Sequence, residues 1–123
     1  MKKKAGLWID FKHAVIVINP DREEEIKQVA SRINKRVSDA SSTDVSKEDS
    51  EKALINERKR YYDNVISYLR NTNSVLIIGL GKAKNELKKR LAIYGFDDQT
   101  VVVKTAKKMI DKKIVADVHR HFD

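Results

Sequence analysis

Residues 74–87 read SVLIIGLGKAKNEL, and this stretch decides the fold that the sequence predicts. Residues 74–79 form a continuous apolar run, which is typical of a strand buried on both faces of a parallel sheet. Two glycines, Gly79 and Gly81, then mark a turn, and residues 82–93 have the pattern of an amphipathic helix. The stretch therefore predicts a buried strand, a glycine turn and a helix in direct succession.

The segments on either side extend this pattern. An amphipathic helix is predicted over residues 52–70, because apolar side chains recur there at spacings of three and four. Residues 100–104 predict another buried strand, and residues 109–122 predict a final helix. The helical side chains expected to face the core are Leu54, Tyr61, Tyr62, Val65, Leu69, Leu87, Leu91, Ile110, Ile114, Val115 and Val118.

The first part of the chain is rich in residues that favour strands. Residues 5–11, AGLWIDF, and 14–19, AVIVIN, predict the two strands of a hairpin. Residues 25–36 are compatible with a short helix, but we predict a third strand that continues the hairpin as a meander. Residues 37–51 carry five carboxylates and one lysine, the composition of a flexible acidic surface loop. We expect this loop to lie within a single domain that spans residues 1–123.

Together these elements predict an α/β fold of the ribonuclease H-like type. The antiparallel meander joins a parallel unit in a mixed five-stranded sheet of order 3-2-1-4-5, with helices on both faces. Strands one and four are then parallel neighbours, which would place Asp10 beside Gly79 and Gly81 at their carboxyl ends. Ligands of open α/β sheets commonly bind at this edge.

The composition excludes several classes of site. The chain contains no cysteine, which excludes disulfides, zinc–thiolate sites, iron–sulfur clusters and thiol catalysis. The longest apolar runs are far shorter than the ~20 residues that a transmembrane helix requires. The basic residues 2–4 are not followed by the uninterrupted apolar stretch of a signal peptide. We therefore expect a cytoplasmic protein without membrane contact, and no residue pattern indicates a cofactor or a metal site.

Positive charge is concentrated in the second part of the chain. The formal net charge is +8; residues 1–50 carry 10 Lys and Arg against 9 Asp and Glu, whereas residues 51–123 carry 16 against 9. Clustered cations favour a polyanionic partner, because binding releases condensed counterions. RNA is the expected partner, although solvated helix faces also explain runs of lysine.

The candidate binding residues lie on the predicted helices and after the last strand. The RNA-binding candidates are Arg58, Lys59, Arg60, Lys82, Lys84, Lys88, Lys89, Lys107 and Lys108. Gly79, Gly81 and Lys82 also form a candidate phosphate-binding turn, because backbone N–H groups at the start of a helix attract anions. Close strand–helix packing and positive φ angles by themselves also explain these two glycines.

The strand, glycine turn and helix of residues 74–87 resemble the central domain of the archaeal and eukaryotic class 1 peptide release factors and of the ribosome-rescue protein Pelota. Residues 7–10, LWID, and 58–62, RKRYY, also carry this resemblance. In that family the turn usually reads Gly-Pro-Gly, and Leu80 replaces the proline in this chain. The resemblance implies the same fold and a role in translation.

The loop before the first long helix departs from that family. In release factors this loop carries a Gly-Gly-Gln tip that positions water for ester hydrolysis, whereas residues 37–51 contain neither glycine nor glutamine. Peptide release by that mechanism is therefore not expected. The resemblance then implies a non-catalytic domain that binds the ribosome or another structured RNA through its basic surface.

Two other functions remain open. A ribonuclease H-like, metal-dependent nuclease would use Asp10, but the predicted fourth strand ends in glycine where a central carboxylate is needed. The further candidate ligands of such a nuclease are Glu57, Asp111 and Asp117. A protein-interaction module would instead form a homodimer through an edge strand or through the tyrosines of residues 61–68.

Overall fold

The computed structural model of this chain describes residues 3–20, 23–31, 47–96 and 100–122. Strands dominate the first of these segments, and strands and helices alternate in the last two. In chain order the elements are β1 (Lys4–Ile9), β2 (His13–Ile18), β3 (Glu25–Ala30), α1 (Lys47–Ser67), β4 (Ser74–Gly79), α2 (Ala83–Ile93), β5 (Val101–Thr105) and α3 (Asp111–Phe122).

The five strands form one mixed sheet in the order β3-β2-β1-β4-β5, as predicted. β1 is antiparallel to β2 and parallel to β4, and β5 extends the parallel half. Leu7 lies at the centre of the sheet, opposite Ile16 of β2 and Ile77 of β4. Helices cover both faces, so the central strands are apolar without alternation. The predicted α/β architecture is confirmed.

α1 and α2 cover one face of the sheet and form the larger core. The helical side chains at three- and four-residue spacing are buried there, as predicted, and each contributes roughly 1.5–3 kcal/mol to stability. The buried residues that the two helices and the turn after α1 contribute to this core are Tyr61, Tyr62, Val65, Ile66, Leu69, Ala83, Leu87 and Leu91. The buried strand residues are Ala5, Leu7, Ile9, Ala14, Ile16, Val29, Val75, Ile77 and Val101.

α3 covers part of the opposite face, where it packs on β1 and β2. Its buried residues Ile114 and Val118 meet Trp8 and other strand side chains of a second, smaller core. Gly6 permits this close approach, because a Cβ at that position would lie 2.5 Å from a methyl group of Val118. A glycine in β1 therefore sets where α3 sits on the sheet.

Several element boundaries differ from the sequence prediction, most of all those of β3 and α1. β3 ends at Ala30, and residues 32–36 of the predicted strand lie outside the described residues. α1 begins at Lys47, so residues 47–51 are helical rather than part of the predicted loop, whose other residues lie outside the described ones. The acidic composition that suggested a loop also suits the first turns of a helix, whose dipole favours negative charge. Over the segments given above, no helix is long and apolar enough to cross a membrane.

Three side chains are less buried than their spacing predicted. Ile110 is 72% exposed, because α3 begins at Asp111 and the helical periodicity does not extend to the residue before it. Met109 packs against the second core in its place. Leu54 and Val115 are only half-buried, at the edges of the buried stripes of α1 and α3.

Candidate nucleic-acid interface

A groove with a volume of about 260 Å³ runs between α1 and α2. Each helix lines it with one stripe of residues at positions i, i+3, i+4 and i+7, which lie on the same side of a helix. The lining residues are Ile55, Arg58, Lys59 and Tyr62 of α1 and Glu86, Lys89, Arg90 and Ile93 of α2. Ile55 is 54% exposed and Ile93 is 74% exposed. The groove therefore combines an apolar surface with basic side chains from two helices.

Arg58 is held in this groove by contacts on two sides. Its guanidinium carbon lies 4.4 Å from the centroid of the Phe11 ring, and its Nη1 lies 3.9 Å from Oε1 of Glu86. The same Glu86 oxygen accepts a 2.8 Å hydrogen bond from the Tyr62 hydroxyl. Burial and then this hydrogen bond raise the pKa of Tyr62, so its hydroxyl remains a donor at neutral pH. These contacts reduce the freedom of the Arg58 side chain before any ligand binds.

Asp63 and Arg90 connect the two helices that form the groove. The Asp63 carboxylate accepts hydrogen bonds from Nε and Nη2 of Arg90 at 2.7 and 3.0 Å, and from the Tyr94 hydroxyl at 3.1 Å. The bond from Arg90 is the main reason that the pKa of Asp63 lies below its ordinary value. This bidentate pair fixes the spacing of α1 and α2, and it partly neutralises the charge of Arg90.

The other basic candidates on these helices are placed differently. Lys59 and Lys89 are exposed and line the groove. Arg60 does not line it, and its Nη1 lies 3.2 Å from Oε1 of the buried Glu57. Lys88 is half-buried on α2, outside the lining of the groove. Lys59 and Lys89 are therefore the exposed lysines that the groove brings together.

The glycine turn has a clear packing role. A Cβ at Gly79 would clash with the carbonyl oxygen of Ile9, and Gly81 has a φ of +91°. Lys84, expected on the exposed basic surface, is instead only 7% exposed, and its Nζ donates a hydrogen bond to the Gly81 carbonyl. Lys84 is the second residue of α2, and because helical side chains lean toward the N-terminus, its ammonium group lies back over the glycine turn. Lys82 remains exposed at the N-terminus of α2.

A second basic group lies at the carboxyl edge of the parallel strands. The Ala106 N–H donates a 2.9 Å hydrogen bond to the Gly79 carbonyl, which joins the segment after β5 to the glycine turn. Lys107 and Lys108 follow directly and are exposed, as is Lys82. The predicted basic residues thus fall into two groups, one in the groove and one at the sheet edge.

Asp10 acts as a turn residue at the end of β1. Its Oδ1 accepts hydrogen bonds of 2.8 Å from the backbone N–H groups of both Lys12 and His13. Its backbone carbonyl accepts a 2.9 Å hydrogen bond from the Tyr61 hydroxyl. The neighbouring end of β4 is Gly79, where the contact with β1 leaves no room for a side chain. Asp10 therefore organises the β1–β2 hairpin, a common role of aspartate in turns.

Two of the other carboxylates considered for a metal site are paired with other side chains. Glu57 pairs with Arg60 on α1, whereas Asp111 accepts a 2.9 Å hydrogen bond from Gln28 on the α3 side of the sheet. Asp117 also lies on α3. Within the described segments, no three or more His, Asp or Glu side chains are grouped so that they could hold a metal ion.

Sequence reasoning missed the apolar part of the groove. Ile55 and Ile93 lie outside the buried stripes of their helices, and that mismatch is the signal that could have found them. No sequence pattern indicates the Asp63–Arg90 ion pair, because its members lie 27 residues apart and meet only when α1 packs on α2.

Comparisons with known proteins identify the fold. No protein-family model matches the chain, and no curated protein matches its sequence. Pelota of Archaeoglobus fulgidus has a similar structure, with a TM-score of 0.61 and 15% identity over 97% of this chain and 31% of that chain. Pelota of Thermoplasma acidophilum gives a TM-score of 0.53 and 21% identity over 94% of this chain and 31% of that chain.

An archaeal translation termination factor matches with a TM-score of 0.48 and 13% identity, over 97% of this chain and 37% of that chain. This chain thus spans about a third of the length of the solved structures that it matches. At these identities the likeness concerns the fold. The resemblance carried by residues 74–87 is confirmed at that level, and the chain has a fold like that of the corresponding third of Pelota.

Proposed function

We propose that this chain is a cytoplasmic, translation-associated domain that binds the ribosome or another structured RNA through its basic surface, without catalysing a reaction. The observation that carries the proposal is the groove in which Arg58, Lys59, Lys89 and Arg90 meet beside an apolar surface. The Pelota-like fold supports the association with translation, since the solved neighbours include two Pelota proteins.

The chemistry of the groove suits RNA. Lys59 and Lys89 supply exposed charges for phosphates, and Arg58 presents a preorganised guanidinium plane. Ile55 and Ile93 offer apolar area against which an unstacked base of a loop or bulge can pack. Lys82, Lys107 and Lys108 extend the surface along the sheet edge, where the glycine turn would contribute backbone N–H groups to a phosphate.

A titration against purified ribosomes and a structured RNA, at two salt concentrations, tests this proposal. The double variant Lys59→Gln/Lys89→Gln removes two groove charges and keeps residues that favour a helix. Lys27→Gln/Arg70→Gln is the matched control, because it removes two charges on β3 and beyond the end of α1. We expect the groove variant to lose at least tenfold in affinity and to flatten the salt dependence, since each lost phosphate contact reduces the slope by about 0.7–0.9.

Equal losses in the two double variants would mean that only net charge matters and would contradict a specific groove. The absence of saturable binding by the unaltered chain at low salt would reject RNA binding altogether. A parallel sample with magnesium, scored for RNA cleavage, tests the nuclease alternative. Cleavage that Asp10→Ala abolishes would overturn the non-catalytic part of the proposal.

A protein-interaction module is the second candidate, because Ile55 and Ile93 expose apolar area within one groove. Homodimerisation through the tyrosines of residues 61–68 is disfavoured, since Tyr61 and Tyr62 are buried in the core and only Tyr68, just after α1, is exposed. Sedimentation of the unaltered chain and of Ile93→Lys distinguishes these cases. A dimer that the substitution dissociates would favour self-association through the groove.

A further inference from the structure

Among the described residues that line the groove between α1 and α2, Glu86 provides the one carboxylate. A carboxylate repels phosphate groups, so its presence in a basic groove that binds RNA requires an explanation. The Glu86 side chain is 35% exposed, which leaves it accessible to a ligand. The cations and the apolar residues of the groove account for contacts with phosphates and with a base, but not for this acidic group.

Two structural roles explain only part of the Glu86 side chain. Glu86 lies in the first turn of α2, where negative charge is favourable to the helix dipole, but that effect does not require a carboxylate that faces α1. Its Oε1 accepts a 2.8 Å hydrogen bond from the Tyr62 hydroxyl. An ionised carboxylate has about four acceptor positions, and Tyr62 occupies one of them. Glu86 therefore retains acceptor capacity for a ligand in the groove.

The contact between Arg58 and Glu86 does not use this capacity. Nη1 of Arg58 lies 3.9 Å from Oε1 of Glu86, which is too long for a hydrogen bond. In the part of the chain that the structure describes, the buried Nε of Arg58 also has no hydrogen-bond partner. Asp63 and Arg90, on the same two helices, instead form a bidentate pair at 2.7 and 3.0 Å. Arg58 and Glu86 thus lie side by side without the hydrogen bonds that close the other pair.

Arg58 provides a flat surface beside this carboxylate. Its guanidinium carbon lies over the Phe11 ring, 4.4 Å from the centroid, so the ring supports one face of the guanidinium. The Arg58 side chain is 36% exposed, and nucleobases stack on guanidinium planes. Ile55, three residues earlier on α1, is 54% exposed and adds apolar area. A nucleobase in the groove would therefore meet an accessible surface for its ring and an acceptor for its edge.

The acceptors of a carboxylate favour one base over the others. The Watson–Crick edge of guanine carries two adjacent donors, N1–H and N2–H. Adenine and cytosine present an amino donor next to a ring nitrogen that is an acceptor, and uracil presents one N–H between two carbonyl oxygens. A carboxylate repels these acceptors, because both groups carry negative charge. Guanine is therefore the base whose edge is complementary to both oxygens of a carboxylate.

We propose that Glu86 makes the groove selective for RNA with an unpaired guanine, whose N1–H and N2–H groups donate to the Glu86 carboxylate while its ring stacks on Arg58. This selectivity rests on the RNA binding proposed above and adds the base that the groove reads. The guanine is unpaired, because pairing within an RNA helix occupies the same edge. The groove volume of about 260 Å³ is below the ~300–1,000 Å³ of small-molecule pockets, so it holds one base. Lys59 and Lys89 remain for the flanking phosphates.

A set of RNA stem-loops that differ at one unpaired nucleotide tests this selectivity. The stem is constant, the loop consists of uridines, and one loop position holds guanosine, inosine, adenosine or cytidine. Affinity for the unaltered chain is measured at one salt concentration, so that phosphate contacts contribute equally to each RNA. We expect the guanosine loop to bind at least tenfold more tightly than the adenosine loop. Inosine lacks the N2 amino group and should bind with intermediate affinity.

Glu86→Gln separates base recognition from charge. Glutamine retains an oxygen that accepts the Tyr62 hydrogen bond, but it replaces the other oxygen with an amino donor. Binding of the guanosine loop should weaken at least fivefold. Binding of the adenosine loop should be unchanged or stronger, because a negative charge is removed, whereas a purely electrostatic role would move both affinities in the same direction. Glu23→Gln, an exposed position before β3 that does not line the groove, is the matched control and should leave the preference unchanged.

The outcomes separate this selectivity from the RNA binding on which it rests. Equal affinities for the guanosine and adenosine loops, with binding that Lys59→Gln/Lys89→Gln still weakens, would overturn the role of Glu86 and leave RNA binding intact. A guanosine preference that persists in Glu86→Gln would also overturn that role. Failure of ribosomes and of every stem-loop to bind would reject RNA binding, and the selectivity with it.

Discussion

At the scale of single residues, the two glycines of the turn, Gly79 and Gly81, have different structural roles. Gly79 lets β4 approach the backbone of β1, whereas Gly81 adopts a positive φ with open space around the position of a Cβ. The first requirement concerns contact between two strands, and the second concerns the conformation of one residue. The turn would therefore be needed for folding even in the absence of a bound phosphate.

Alanine substitutions at these positions should separate the two effects. Gly79→Ala is expected to be the more destabilising, by about 3 kcal/mol or more, because the obstructing atom is a backbone carbonyl that cannot move away. Gly81→Ala should cost about 1–2 kcal/mol, the strain of a left-handed alanine. Chemical denaturation measures both values. Equal losses would contradict the assignment of a packing role to Gly79 alone.

At the scale of elements, the groove depends on how α1 and α2 are held together. Their buried stripes pack on the sheet, and the Asp63–Arg90 pair connects their outer surfaces. Arg90 thus contributes to the shape of the groove as well as to its charge. The separation of the two helices limits the width of any ligand that the groove can accept, and this one ion pair contributes to that separation.

Acid should weaken this connection. Since the pKa of Asp63 is lowered in the folded state, its carboxylate stabilises the fold above its unfolded value of about 3.9, and this contribution is lost as the pH falls through the folded value. Asp63→Asn should therefore lower the melting temperature at pH 6 but have little effect at pH 2. Asp111→Asn, which removes an exposed carboxylate bonded to the neutral Gln28, is the control. A deficit of Asp63→Asn that persists at pH 2 would contradict this account.

At the scale of the whole molecule, the sheet separates two surface cavities. The groove between α1 and α2 lies outside the larger core, whereas a cavity lined by Lys104, Arg120 and His121 lies beside α3 and borders the smaller core. A thin α/β domain can therefore carry cavities on both sides without a second domain.

The groove should account for RNA binding without a contribution from the opposite face of the sheet. Lys59→Gln/Lys89→Gln should weaken RNA binding, whereas Lys104→Gln should leave it within about twofold, because Lys104 is the register partner of Ile78 and lies on the α3 side of the sheet. The same binding titration measures both effects. A loss in the Lys104 variant equal to that in the groove variant would contradict this account.

The sequence predicted the architecture well, because the apolar periods of the strands and helices are local properties. The run at residues 74–79 and the stripe that includes Tyr61, Val65 and Leu69 appear in the structure as predicted. Element ends were predicted less well. α1 begins at Lys47, inside the predicted loop, because acidic residues suit both loops and first helical turns. α3 begins only after Ile110, because the apolar periodicity does not mark its first residue. Charge alone does not distinguish buried lysines from exposed ones. Lys84 was predicted to lie on the exposed basic surface but is buried in the structure.

By itself, the sequence determined the order of the elements, the strand order of the sheet and the concentration of positive charge after residue 50. The tertiary structure alone decided that Arg58 and Arg90 line one groove, that Asp10 is used in a turn, and that Lys104 and His121 border one cavity. The physical reason is the distance along the chain between the residues that interact. Apolar periodicity reports which side of an element is buried, whereas the meeting of side chains from different elements depends on how helices are seated on the sheet. In this chain that seating is set by contacts such as Gly6 with Val118.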